Sequence, residues 1–140
     1  MKMSEENIKE DKIEQIESYI QELEEIIPGS YEEYMSNYIS RAACERYFEK
    51  IIEAVVDLAF IVIREKELNV PKDENSSFFV LSDKKIISED LAKELKEAKG
   101  MRNIIAHEYG KIDDGQVFNS VSNELIPDVL EFVKCVRELR

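Results

Sequence analysis

An all-α fold is predicted by three features of this sequence: only four Gly and three Pro in 140 residues, a charged fraction of 36%, and apolar residues recurring at spacings of three and four over long unbroken stretches. Breakers and β-branched clusters would be needed to punctuate strands, and with so few breakers helix is favoured over sheet. The elements can be taken in chain order. Ile13, Ile16, Tyr19, Ile20, Leu23, Ile26 and Ile27 form one stripe of an amphipathic helix, which Pro28-Gly29 ends. From Tyr31 to about Leu68 no Gly or Pro intervenes, while Tyr34, Tyr38, Ala42, Phe48, Ile52, Val55, Ala59 and Val62 keep the helical period. This predicts one very long helix or two nearly collinear ones, the spine of a bundle.

Between Asn69 and Ile87 the pattern breaks at Pro71 and the polar run Asp73 to Ser77, then resumes in a compact apolar patch, Phe78 to Leu81. We read a loop around one short helical piece whose aromatics cap the core. Ser88 followed by Glu89 and Asp90 is a helix start, with a capping oxygen and first-turn acids suited to the positive end of the dipole. That helix runs to about His107 or Tyr109, where Gly110 stops it. After Asp113-Asp114-Gly115, a further helix carries Val117, Phe118, Val121 and Leu125, and Pro127 either kinks it or opens a last helix through Val136. The expectation is an up-and-down bundle of about five helices in one domain spanning residues 1–140.

The N-terminal residues carry charges of both signs without an apolar centre, which excludes a signal peptide. The most apolar run, Ala54 to Ile63, is too short for a bilayer and contains Asp57. A cytoplasmic protein without membrane contact is expected. Cys44 and Cys135 lack the paired spacing of a zinc site or disulfide framework and are read as small apolar side chains in a reducing compartment. A net charge of −12 argues against indiscriminate nucleic-acid binding. Its distribution is uneven: residues 1–33 hold 11 acids and 3 bases, a net of −8, whereas Lys84 to Lys111 holds 7 bases and 5 acids, a net of +2.

With one histidine in the chain, any imidazole acid–base chemistry must use His107. Leu91, Leu95, Ala98, Arg102, Ile105 and Tyr109 fall on one helical stripe, so an arginine stands among apolar neighbours. Its guanidinium needs an anion, either a phosphate or a carboxylate such as Glu45, Glu49 or Glu53 of the long helix, or a route back to water along its own stem. His107 lies five residues beyond Arg102, roughly 140° round the helix, and one turn from Asn103. These groups converge on one point only if the helix end bends or a second copy supplies its own set.

The stretch Gly100 to Gly110, with Arg102, Asn103, His107 and Tyr109, resembles the Arg-x-x-x-x-His-x-Tyr motif of the HEPN superfamily in its HepT branch. The Tyr38 to Leu68 helix with Arg41, Ile87 to Ala92 before the motif helix, and Ile126-Pro127-Asp128 after it are also similar, so the resemblance covers roughly residues 5–140. It implies a HEPN-type bundle that forms a homodimer with the two motifs facing across a cleft. It further implies a metal-independent endoribonuclease toxin without a cofactor, partnered by a minimal nucleotidyltransferase antitoxin, MntA-like, that transfers AMP to the motif tyrosine. Arg102 and His107 would be catalytic, Asn103 a supporting polar neighbour and Tyr109 the AMP acceptor.

Elementary chemistry is consistent with that reading. Metal-free RNA cleavage needs a base for the 2′-OH, an acid for the leaving 5′-oxygen and a cation for the phosphorus oxygens. One imidazole cannot readily serve both ends of an in-line displacement, whereas a two-fold dimer supplies two histidines and two arginines. Lys84, Lys85, Lys93, Lys96, Lys99 and Lys111 would offer a shallow track for phosphates. The alternative is a non-catalytic HEPN interaction module or nucleotide-binding subunit of a nucleotidyltransferase complex, in which Arg102 makes a structural ion pair.

Overall fold

The computed structural model describes residues 5–73, 76–107 and 111–139, and among them every regular element is helical. The helices are α1 (Glu5–Ile26), α2 (Tyr31–Ser36), α3 (Tyr38–Glu65), α4 (Ser77–Asp83), α5 (Glu89–His107), α6 (Asp114–Asn119) and α7 (Leu125–Arg137), with a π-helical turn, Ser120–Glu124, between the last two. The number exceeds the expected count of about five because both segments whose continuity the sequence left open, that after Tyr31 and that at Pro127, are divided. At Asn37 the backbone leaves the helical region, and the Asn37 side chain accepts from the amides of Ile39 and Ser40 at 3.0 and 3.1 Å, ending α2 and capping α3 in one step. Arg41 then donates to the Met35 carbonyl, satisfying the end of α2.

The second interruption has a different cause. Pro127 has no amide proton to offer the carbonyl four residues back, so a regular α-ladder cannot run through it unchanged. The chain widens instead, the Leu125 amide reaching the Ser120 carbonyl five residues behind it, and α7 starts with Pro127 in its first turn.

α3 is the spine, packed against α1, α4, α5 and α7. Its burial is therefore not a single stripe: Ile51, Ile52, Val55, Leu58, Ala59, Val62 and Ile63 are all fully enclosed. Tyr38 and Ala42, expected on the apolar face, are exposed, Tyr38 to 72%, because the first turn of α3 extends beyond the helices packed on its middle. α1 presents Ile13, Ile16, Ile20 and Leu23 to the core as its period requires. α4 caps the core, with Phe78 and Leu81 buried and Phe78 edge-on to Phe132 of α7 at 6.0 Å.

Two helices end without glycine. Glu67 after α3 and Lys85 after α4 take positive φ, and the amides of Leu68 and Ile86 reach back to the carbonyls of Ile63 and Leu81 at 2.9 and 3.0 Å. These bonds close a Schellman turn and offset a backbone cost of about 1–2 kcal/mol each. Cys44 is buried and Cys135 half-buried, both as free thiols, and enclosure pushes the Cys44 thiol up to about 11. No described helix is long and apolar enough to cross a membrane.

Candidate functional site

α5 begins as its sequence dictates, the Ser88 hydroxyl accepting from the Leu91 amide at 3.0 Å with Glu89 and Asp90 in the first turn. Its buried line runs through Leu91, Leu95 and Ile105. Arg102 lies between the last two, and its side chain keeps only 20% of its exposure. The guanidinium binds Glu53 of α3 through Nη2 in a short charge-assisted contact, and donates to Asn103 Oδ1 through Nη1 at 3.0 Å. Its Nε is buried and has no hydrogen-bond partner among the described residues. An enclosed N–H of this kind holds free energy that a suitable acceptor would release.

Beside this guanidinium opens a cleft of about 240 Å³ between α3 and α5, lined by Ile52, Glu53, Val56, Asp57, Lys99 and Arg102. Two cations and two carboxylates thus face one another over an apolar floor. Lys99, read from sequence as part of an exposed phosphate track, is only 6% exposed. It stands three residues before Arg102, close to the same face of α5, so the helix turns it into the cleft. Lys84, Lys85, Lys93, Lys96 and Lys111 are exposed as expected, although Lys93 lies 3.6 Å from Glu89 and Lys96 over the Phe79 ring.

His107, the last residue of α5, is exposed and does not line the Arg102 cleft. Arg102 and Asn103 are brought together within one chain, whereas His107, five residues beyond Arg102 and one turn beyond Asn103, is not among the groups lining the cleft that Arg102 lines. Tyr109 lies outside the described residues. Glu53 had been one of three candidate carboxylates. Asp57 was missed as a lining group, and the signal for it was the four-residue spacing of Glu45, Glu49, Glu53 and Asp57, which puts all four acids along one face of α3. A larger hollow, about 560 Å³, is on another flank of α5 beside Met101 and Ile104, and none of Arg102, Asn103 or His107 lines it.

The chain matches the family model for Ribonuclease HepT-like proteins over residues 16–136. It is 28% identical over 113 residues to the tRNA nuclease HepT of Aphanizomenon flos-aquae, covering 81% of this chain and 77% of that one. To the mRNA nuclease HepT of Shewanella oneidensis it is 24% identical over 126 residues, 90% of this chain and 93% of that one. Its fold superimposes on the tri-AMPylated HEPN toxin of Shewanella oneidensis, solved in complex with an MNT antitoxin, with a TM-score of 0.88, 23% identity, and coverage of 98% and 100% of the two chains. The helical bundle is accordingly of the HEPN type, and the chain belongs to the Ribonuclease HepT-like family.

Proposed function

We propose that this protein is a metal-independent endoribonuclease toxin of a toxin–antitoxin pair, with a composite active site in a homodimer cleft and Arg102 and His107 as its catalytic residues. The observation that carries the reading is Arg102 itself: a half-buried guanidinium on the wall of a cleft, already holding an oxyanion, with a buried Nε still to be satisfied. A phosphodiester brings oxygens that match this planar donor set, and Arg binds phosphate through paired hydrogen bonds. The names of the relatives from Aphanizomenon flos-aquae and Shewanella oneidensis support RNA as substrate.

In the reaction, a 2′-hydroxyl attacks the adjacent phosphorus while the bond to the 5′-oxygen breaks. The 2′-OH proton passes to the neutral imidazole of His107 in one copy, and the imidazolium of His107 in the other gives a proton to the leaving 5′-oxygen. Charge on the phosphorus oxygens is balanced by Arg102, with Asn103 orienting the guanidinium through its amide oxygen. The products are a 2′,3′-cyclic phosphate and a free 5′-hydroxyl. A minimal nucleotidyltransferase antitoxin transferring AMP to Tyr109 would place a bulky anion two residues along the chain from His107 and exclude RNA by overlap and like charge. The MNT antitoxin bound to the AMPylated Shewanella oneidensis toxin supports that partnership.

One observation favours a second reading. The Arg102–Glu53 pair already supplies a counter-ion, as a purely structural arginine in a non-catalytic interaction subunit would require. Purified protein incubated with RNA in EDTA separates the two. Cleavage that persists with chelator and falls at least about a hundredfold in both His107→Ala and Arg102→Ala identifies the nuclease. Equal cleavage in all three proteins is contamination and defeats the proposal.

A further inference from the structure

A second cleft, of about 280 Å³, lies across α3 from the first and shares two of its walls, Glu53 and Asp57. Its other lining groups include Lys12 and Tyr19 of α1 with Arg46 and Lys50 of α3. Arg46, Lys50, Glu53 and Asp57 follow one another at steps of four, three and four, so they form one stripe that leads along α3 to the carboxylate held by Arg102. The two acids of this stripe are already matched, Glu53 by Arg102 and Asp57 by Lys12 at 3.4 Å.

The two bases are not matched in the same way. The Lys50 ammonium is 4.5 Å from the Tyr19 ring centre and 4.7 Å from that of Tyr47, and it has no carboxylate within ion-pair range among the described residues. The two rings meet edge to face at 6.5 Å, and the Tyr47 hydroxyl donates to Glu22, which fixes the clamp. Arg46 is 3.6 Å from Glu49, beyond hydrogen-bond range, and its side chain is 62% exposed. Aromatic faces hold a cation without neutralising it, and a lysine ordered in advance loses little further freedom when it meets an anion.

We infer that Lys50 and Arg46, with Tyr19 and Tyr47 beside them, form a phosphate-binding subsite for single-stranded RNA that extends the substrate path from the Arg102 cleft across α3. This rests on the nuclease reading above and moves the path away from the lysines of α5, one of which is buried. Two neighbouring bases beside aromatic rings, with the acids of the same stripe already paired, are the kind of grouping that tracks a single-stranded backbone. It gives a protein of net charge −12 a local route for a polyanion.

The test is RNA binding by the full chain carrying His107→Ala, measured in EDTA by fluorescence anisotropy with a labelled mixed-sequence single-stranded oligoribonucleotide over a series of salt concentrations. Adding Lys50→Gln is expected to weaken binding about three- to tenfold and to reduce the slope of log affinity against log salt by about 0.7, the share of one phosphate contact. Lys50→Arg should keep the slope, as should Lys134→Gln on the exposed face of α7. If Lys50→Gln does not fold, Arg46→Gln at its exposed position gives the same readout. RNA binding with an unchanged slope in both glutamine variants overturns the subsite, leaves the nuclease reading standing, and points to a protein partner for the cluster. No RNA binding by the His107→Ala protein, together with no cleavage by the wild type, overturns both.

Discussion

Arg102 and Arg137 each join two helices through carboxylates, and the surroundings of the two guanidinium groups differ. Arg137 of α7 reaches Glu10 and Glu17 of α1 at 2.8 Å, in a site where all three side chains are about 40% exposed. Those hydrogen bonds, to Glu17 first and then Glu10, hold its pKa above the usual arginine range. It lines neither the Arg102 cleft nor the one across α3 from it, and surface pairs of this kind stabilise by at most about 1 kcal/mol. Arg102 is half as exposed, pairs with one carboxylate and one amide, keeps a buried N–H unsatisfied and opens onto a cleft. The difference teaches that an ion pair alone does not mark a site. The mark is a guanidinium that lines a cleft and still has an N–H without an acceptor.

The seam between α5 and α7 supplies a third case, in which a carboxyl group meets other carboxylates. Asp128 of α7 is pushed up to about 6, chiefly by burial and then by Glu94, Glu124 and Glu131. Like charges here oppose the packing that Arg137 supports elsewhere.

The sharpest way to break the comparison is to remove each arginine and follow RNA cleavage. Arg102→Ala should lower kcat/KM by about two to three orders of magnitude, while Arg137→Ala should leave it within about twofold. Comparable losses in both would mean that Arg102 acts only through the fold. Next in size is Asp128→Asn. Because the folded pKa is raised, the native chain binds the proton more tightly than the unfolded chain between about pH 4 and 6, so stability falls as pH rises through that window. The variant should be more stable than wild type at pH 7–8 by about 1 kcal/mol after solvent screening, a Tm gain of about 3–5 °C, with no gain at pH 4. An equal gain at both pH values would separate the effect from titration.

Smaller still is Glu53→Gln, which releases Arg102 from its carboxylate. RNA affinity should rise by up to about fivefold in a His107→Ala background, since the anion displaced is a partly exposed one worth less than about 1 kcal/mol. Weaker binding would instead show that Glu53 positions the guanidinium for substrate. The smallest effect is that of Arg137→Ala on stability, a loss below about 1 kcal/mol in thermal unfolding.

Much of this architecture can be read locally. The helix start at Ser88, the stop at Pro28-Gly29, the break before Phe78 and the inward stripe of α1 all depend on groups within a turn of one another, and each appears where local chemistry puts it, whereas Asp113-Asp114-Gly115, read as a turn, is the capped first turn of α6. The helical interruptions at Asn37 and Pro127 were less legible, because a capping asparagine or a widened turn competes with continued helix by only about 1 kcal/mol. The site divides in the same way. That Arg102 needs an anion or a route back to water follows from its apolar neighbours in the sequence, and that His107 points away from it follows from five residues of helix.

Which anion it finds does not follow. Glu45, Glu49 and Glu53 repeat every four residues on one face of α3, so their local environments are alike, and only the axial offset at which α5 packs across α3 selects Glu53. The same offset buries Lys99, gives Asp57 two clefts to line and leaves the Arg102 Nε without a partner. The amino-acid order determined the helices and the chemical groups they carry, because those depend on neighbours within a few residues. Tertiary packing alone decided which charges meet, because side chains 49 positions apart come within reach only after two helices have settled their relative height.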